Sequence, residues 1–147
     1  MLTKASVSDI DWIVSAQTSM AKETEGLELD EPTVRRGVAG VFERPQRGTY
    51  WLWKQDEQVS ACLLCVDEWS DWRAGTVWWI HSVYVSPEFR RTGIYKNMYR
   101  ALQDMVAANE GVKGIRLYVD KTNTKAQSVY EACGMSNEHY SLYEWLP

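Results

Sequence analysis

The sequence predicts a mixed α/β fold, in which one sheet is flanked by helices. Residues 49–85 read as successive strands of β-branched and aromatic residues joined by polar turns, which is typical of a meander. Residues 94–135 have helical spacing, then strand spacing, then helical spacing again. A meander followed by a strand, helix, strand, helix order indicates a mixed sheet with helices packed against it.

The first 48 residues predict a short strand and two helices. Residues 2–5 form the strand, and Ser8 or Asp9 can cap the helix that follows. Asp30 begins a second helix, because a proline stands near its first turn and an apolar stripe follows. Pro45 ends that helix.

The rest of the chain supplies the predicted sheet and its remaining helices. No repeat, linker or low-complexity tract divides the sequence, so residues 1–147 predict a single domain. The predicted elements are strands at 50–54, 59–66, 77–85 and 115–120, a loop at 69–75, helices from residue 94 and over 123–133, and one or two closing strands within 135–146.

Composition and charge limit the function classes. With 147 residues the chain can bury a core, and its net charge of -4 opposes a nucleic-acid partner. No apolar run reaches the ~20 residues of a membrane span and no secretion signal opens the chain, so we expect a cytoplasmic protein. Cys62 and Cys65 lie three residues apart in an apolar strand, on opposite faces. This spacing predicts core packing rather than a metal site.

A basic turn, Arg90-Arg91-Thr92-Gly93-Ile94-Tyr95, joins the central strand to the helix after it. The first turn of a helix has backbone N–H groups without intrahelical partners and a partial positive charge. The two arginines add charge, and Gly93 lets a ligand approach the backbone. The turn therefore suits a phosphate or diphosphate. Solubility and turn geometry alone would explain the same residues, so this pattern leaves both interpretations open.

A second pattern, Asn-x-x-Ala-x-x-x-Tyr-Glu-x-x-Gly-Met over residues 123–135, predicts a short helix capped by Asn123 and ended by Gly134. Together with the Arg-x-x-Gly turn, it resembles the GNAT superfamily of acetyl-CoA-dependent N-acetyltransferases. The resemblance covers residues 78–135 in order and spacing. It implies a GNAT-type central mixed sheet of about six to seven strands flanked by about four helices. It also implies acetyl-CoA as cofactor and acetyl transfer to a primary amine by direct attack.

The resemblance assigns residues to the cofactor. The diphosphate would lie on the amides of the turn, and the pantetheine arm would pair with the central strand like an added strand. The backbone N–H of Val83 would meet the oxyanion. Tyr95 departs from the family pattern, which has Gly or Ala there, and its ring must turn away from the diphosphate or push it outward. The implied cofactor-binding residues are Val83, Tyr84, Val85, Arg90, Arg91, Thr92, Gly93, Ile94, Tyr95 and Asn123.

Two residues are candidates for proton transfer. Tyr130 occupies the family's tyrosine position and would protonate the departing thiolate, since a phenol with a pKa of ~10 is neutral at pH 7. His81 resembles the histidine of arylalkylamine acetyltransferases and would take the proton from the amine. Helix packing for Tyr130 and a structural role for His81 stay open. Glu23, Glu25 or Asp71, acting through water, are alternative bases.

Aromatic and acidic residues indicate an acceptor pocket for a small cationic amine with an apolar or aromatic body. Tryptophans gather before His81, and an acidic segment lies at 23–31, so cation–π and ionic attraction would act together. A solvated charged face is the other interpretation of the acidic segment. The candidate acceptor residues are Glu23, Glu25, Trp69, Asp71, Trp72 and Trp79.

Other functions fit the sequence less well. A non-catalytic acyl-CoA-binding module would keep the turn without turnover, and an acetyltransferase could act on a protein or peptide amine. An aminoacyl-tRNA acceptor is opposed by the negative charge. A dinucleotide-binding domain would need G-x-G-x-x-G after the first strand, and this chain lacks it. The predicted closing strands favour a homodimer.

Overall fold

A five-stranded sheet forms the frame of the first 117 residues in the computed structural model, which describes residues 1–147. Its strands lie side by side in chain order. The first four are antiparallel to their neighbours and the fifth is parallel to the fourth, which requires a crossover helix between them. The strands are β1 Leu2–Lys4, β2 Thr49–Gln55, β3 Gln58–Ser70, β4 Gly75–Val85 and β5 Val112–Leu117.

The chain has four α-helices, as predicted. Asp30 caps the second helix through its carboxylate, which accepts a hydrogen bond from the backbone N–H of Thr33 at 3.0 Å. Asp9 instead accepts from the N–H of Ser6 at 2.7 Å and closes a 3-10 turn just before the first helix. The helices are α1 Ile10–Glu25, α2 Glu31–Glu43, α3 Ile94–Ala107 and α4 Thr124–Ala132, and 3-10 turns lie at Val7–Asp9, Pro45–Arg47 and Pro87–Phe89.

The main core lies between α1, α2 and one face of the sheet. Apolar side chains from these helices pack on β2 and β3, with Leu52 and Cys62 fully buried. Cys62 and Cys65 point to opposite faces, and burial raises the pKa of each thiol to about 12. Both cysteines are therefore protonated core residues, as predicted.

Some predicted boundaries were wrong. The predicted loop at 69–75 is shorter in the structure, because β3 continues to Ser70 and β4 begins at Gly75, leaving a four-residue turn at 71–74. The fifth strand lies at 112–117 rather than 115–120, since its pairing with β4 starts where Val112 meets Thr76.

The predicted closing strands are absent, so the sheet has five strands rather than six to seven. Residues 136–147 contain neither helix nor strand, and Tyr143 and Trp145 are 93% and 85% exposed. Alternating aromatics favour a strand, but a strand forms only where a neighbouring strand satisfies its backbone hydrogen bonds. Residues 136–147 pair with no strand of the sheet.

Met1–Leu117 form one compact unit and Tyr118–Pro147 form another. None of the helices has the length and apolar character that would let it cross a membrane.

Candidate active site

The end of β4 has an edge that does not pair with β5. The β4–β5 ladder ends where Ile80 meets Leu117, while residues 81–85 continue along β3. The N–H of Ser86 donates to the carbonyl of Ser60 at 2.9 Å. Because hydrogen bonding alternates along an antiparallel strand, the backbone groups of Val85 point away from β3. This edge can pair with an extended, amide-bearing ligand.

A β-bulge changes the direction of the strand within this segment. The β3–β4 register shifts between Cys62 and Leu64, so that two residues of β4 oppose one residue of β3. Ser82 adopts a left-handed φ of 54°, an uncommon conformation for a residue other than glycine. Such outliers are often retained at functional sites, and this one lies immediately before Val83.

The turn between β4 and α3 is shaped to hold an anion. Arg91 and Gly93 both have left-handed backbones, with φ of 65° and 81°, and α3 begins directly after Gly93. Alternation of this kind gathers successive N–H groups into a concave surface at the positive end of a 14-residue helix. The hydroxyl of Thr92 donates to the carbonyl of Phe89 at 2.6 Å and so braces the turn. The strand, basic turn and helix therefore follow one another as predicted.

The turn's other residues take different roles. Ile94 is 3% exposed, so its side chain belongs to the core and only its N–H can face a ligand. The ring of Tyr95 stacks on that of Tyr99, one helical turn later, with centroids 6.3 Å apart. The Tyr95 ring therefore lies along α3.

Arg90 makes contacts with β4 and α1. Its Nε donates to the carbonyl of Val85 at 2.8 Å, and one terminal nitrogen donates to Oε2 of Glu23 at 2.7 Å. The guanidinium carbon lies 5.6 Å from the ring centre of Tyr84. Tyr84 also packs edge-on against Trp12, and its backbone lies opposite Cys62 of β3. The Tyr84 side chain thus supports the α1 side of the sheet.

His81 lies on the sheet face that carries α1 and α2, since its partner Leu64 packs on that core. Desolvation lowers the pKa of this half-buried imidazole below 6.5. Trp79 shares the face, two residues earlier. A mostly neutral imidazole thus lies beside an aromatic side chain.

Two charged residues that sequence reasoning missed meet Trp79. The indole Nε1 donates to Oε2 of Glu68 at 2.8 Å, and Arg116 donates to the same oxygen at 3.1 Å. The Arg116 guanidinium lies 6.0 Å from the Trp79 ring centre. Glu68 comes from β3 and Arg116 from β5, so only the strand register, which the sequence does not give, could have revealed the cluster.

The predicted acceptor residues do not all come together. Trp69 pairs with Thr76, five residues and about 16 Å along β4 from His81. Trp72, 88% exposed, and Asp71 lie farther out in the turn of that hairpin. Glu23 and Glu25 lie in the last turn of α1, where Glu23 binds Arg90. From the predicted set, Trp79 shares the sheet face of His81, two positions away along β4.

The second unit contains the remaining predicted site residues. Asn123 caps α4, because its Oδ1 accepts from the N–H of Ala126 at 3.1 Å. Gly134 ends that helix with φ of 84°, and the N–H of Met135 donates to the carbonyl of Tyr130. Tyr130 is half-buried, and desolvation raises its phenol pKa above 10. The phenol therefore keeps its proton at neutral pH.

A bulged strand end, an anion-binding turn and a helix after it are features of an acyl-CoA-binding enzyme fold. A family model described as the acetyltransferase (GNAT) family matches residues 9–135. The chain therefore belongs to the GNAT acetyltransferase family, whose members use acetyl-CoA. The concave N–H surface of the turn and the edge at Val85 suit the diphosphate and the amide-bearing arm of that cofactor.

Solved structures agree with this membership. The chain is similar to a possible acetyltransferase from Clostridium difficile 630, with 35% identity, a TM-score of 0.94, and coverage of 100% of this chain and 97% of that one. A predicted acetyltransferase with acetyl-CoA from Clostridium acetobutylicum is 19% identical, with a TM-score of 0.76 and coverage of 98% and 94%. Glucosamine-6-phosphate N-acetyltransferase from Arabidopsis thaliana is 17% identical, with a TM-score of 0.72 and coverage of 100% and 98%. The last two show the fold alone. A search of curated proteins gave no match.

Proposed function

We propose that the protein transfers an acetyl group from acetyl-CoA to a primary amine by direct attack. The observation that carries this proposal is the bulged end of β4, with its edge at Val85, immediately before a turn with left-handed residues at Arg91 and Gly93. Together they provide donors for a diphosphate and a strand edge for its extended arm.

On the donor side, the backbone N–H groups from Arg91 to Tyr95 would hold the diphosphate. The backbone groups of Val83 and Val85 would pair with the arm, and the N–H of Val83 would donate to the thioester carbonyl oxygen. Such a donor lowers a barrier by about 3 kcal/mol when it is aimed at the developing charge. Asn123 already acts as a helix cap, and a contact with the cofactor is a further proposed role.

Acetyl-CoA, when bound, supplies an activated thioester. His81 would take a proton from the acceptor ammonium, because its desolvated imidazole is neutral at pH 7 and available as a base. The neutral amine nitrogen would then bond to the acetyl carbon as the carbon–sulfur bond breaks, and the extra proton left on that nitrogen would pass through solvent to restore the phenol that protonates the sulfur. Tyr130 would give its phenolic proton to the sulfur, and the raised pKa of this phenol keeps that proton in place until then. Direct attack uses no enzyme nucleophile, and Cys62 and Cys65 are unavailable for such a role because they are buried and protonated.

On the acceptor side, we propose a small cationic amine with an apolar or aromatic body. The support is the position of Trp79, which lies two residues from His81 on the same sheet face and offers an aromatic surface to such an amine. The Glu68 carboxylate beside that ring is already paired with Arg116, so it is not counted as a ligand of the amine. A protein or peptide amine is the second candidate, because the exposed Trp69 and Trp72 give the β3–β4 hairpin an apolar tip suited to a larger acceptor.

The test combines binding with turnover. Calorimetry with acetyl-CoA measures the donor site, and release of the coenzyme A thiol measures turnover with a panel of small amines and short peptides. We expect micromolar binding and thiol release that requires an amine. Binding without release from any amine would indicate the non-catalytic module, and a lack of binding would overturn the proposal.

We also propose a cytoplasmic homodimer. The dimer is supported by the exposed aromatics of residues 136–147, which two copies could bury against each other. Light scattering coupled to size-exclusion chromatography measures the mass directly, and a monomer at micromolar concentration would contradict the dimer.

A further inference from the structure

We infer that Arg90 is a positioning residue that ties the end of β4 to α1, rather than a ligand of the diphosphate. Glu23 is then the partner of Arg90 rather than a ligand of the acceptor amine. This inference rests on the proposed acetyl-CoA site. Sequence patterns placed Arg90 among the cofactor-binding residues and Glu23 among the acceptor residues, and we give both a different role.

The contacts of Arg90 support this role. Its Nε donates to the Val85 carbonyl at 2.8 Å, on the edge where the thioester arm would pair. Its terminal nitrogen binds Glu23 at 2.7 Å, and its plane lies over the ring of Tyr84. One guanidinium thus makes three contacts, two with β4 and one with α1. Its planar, forked shape allows this, and the ammonium group of a lysine does not have that shape.

The Val85 carbonyl can serve both Arg90 and the arm. A carbonyl oxygen has two lone pairs, so an N–H of the arm can use the second while Arg90 uses the first. The hydrogen bond from Arg90 keeps the Val85 carbonyl in the orientation that pairing with the arm requires. Without Arg90 the edge would lose this constraint, and every ligand that pairs with it would bind less well.

The charge of Glu23 is already balanced. Glu23 and Arg90 are 40% and 38% exposed, so the pair is partly shielded from solvent at a separation of 2.7 Å. The negative end of the α1 dipole also favours the arginine there. A cationic amine would have to compete with a guanidinium held by two other contacts. The geometry therefore makes Glu23 an anchor that joins α1 to the start of the turn.

Two ligands separate positioning from direct phosphate contact. Coenzyme A has the diphosphate, whereas acetyl-pantetheine retains the arm and thioester and lacks the diphosphate. Their dissociation constants are measured by calorimetry, directly for coenzyme A and by competition for acetyl-pantetheine. The variants are Arg90→Gln, Glu23→Gln and their double variant, with Arg91→Gln as the matched control on the turn.

We expect Arg90→Gln to weaken both ligands by the same factor, about fivefold, since a hydrogen bond to a charged group is lost at the shared edge. Glu23→Gln should weaken both by about twofold, as for a partly exposed ion pair. The double variant should be no weaker than Arg90→Gln, because the two residues act as one unit. Arg91→Gln should weaken coenzyme A alone.

Selective weakening of coenzyme A by Arg90→Gln would overturn the inference and make Arg90 a diphosphate ligand. Unchanged binding of both ligands in Glu23→Gln, or fully additive effects in the double variant, would also overturn it. Circular dichroism melts confirm that each variant is folded, and Glu23→Gln tests the link even if Arg90→Gln fails to fold. If the wild-type protein bound neither ligand, the proposed function would fail first.

Discussion

Replacing His81 with glutamine tests the proposed base. Glutamine keeps the size and hydrogen-bonding capacity of the side chain but cannot accept a proton. The imidazole is half-buried, and desolvation lowers its pKa below 6.5. At pH 7 a histidine with a pKa of 6.5 is about three quarters neutral, so the shift makes His81 more available as a base.

The magnitude follows from the chemistry of base catalysis. Positioned general bases contribute about 10²–10⁴-fold, so we expect His81→Gln to lower kcat by about 100-fold at pH 7. The wild-type rate should rise through a midpoint below pH 6.5 and then level off, because protonated His81 cannot accept a proton. In the variant this rise of the rate at acidic pH, the acidic limb of the profile, should disappear.

The assay follows release of the coenzyme A thiol at saturating acetyl-CoA between pH 5 and 9. His139→Gln is the matched control, since His139 is the only other histidine and is exposed. If His81→Gln retained activity within about threefold and kept the same acidic limb, the base would lie elsewhere.

The lowered pKa of His81 also predicts an effect on stability. Below pH 6.5 the unfolded chain binds more protons at this residue than the folded chain does, so the free energy of unfolding falls as the pH drops. Urea titrations at pH 5 and 8 should show a smaller difference for His81→Gln than for the wild type. An equal difference would contradict the depressed pKa.

Three further predictions concern acid catalysis, the turn and the core. Tyr130→Phe removes the proposed proton donor and should lower kcat by about 100-fold without changing coenzyme A affinity; a loss in binding alone would indicate a packing role. Arg91→Gly relieves a left-handed φ of 65° and should stabilise the fold by about 0.5 kcal/mol while weakening coenzyme A; a lower melting temperature would argue against backbone strain. Leu52→Ala, at a fully buried position, should cost about 3 kcal/mol in urea titrations, whereas the matched Leu142→Ala, at a 62% exposed position, should cost under about 0.5 kcal/mol.

Features set by residues close together in the sequence were predictable. Caps such as Asp30 and Asn123 act within one turn of their own helices, so composition and spacing were enough to locate them. The turn at Arg91 to Gly93 likewise follows from a strand that stops and a helix that starts.

Features that depend on register were not predictable. Glu68 and Arg116 meet Trp79 only because three strands align, and Glu23 reaches Arg90 across 67 residues of chain. The bulge at Ser82 leaves no local signal either. The predicted closing strands are wrong for the same reason. Alternating aromatics favour a strand, but the sequence does not show whether another strand is there to pair with it.

The two core thiols have a practical consequence for measuring turnover. A chromogenic disulfide reagent reacts with free thiolates and releases a coloured product. Cys62 and Cys65 do not react with it in the folded protein, because they are buried and stay protonated. Only the half-exposed Cys133 can add background to the signal of released coenzyme A. In denaturant the same reagent should report all three sulfurs, so one inexpensive chromophore can measure both catalysis and global unfolding.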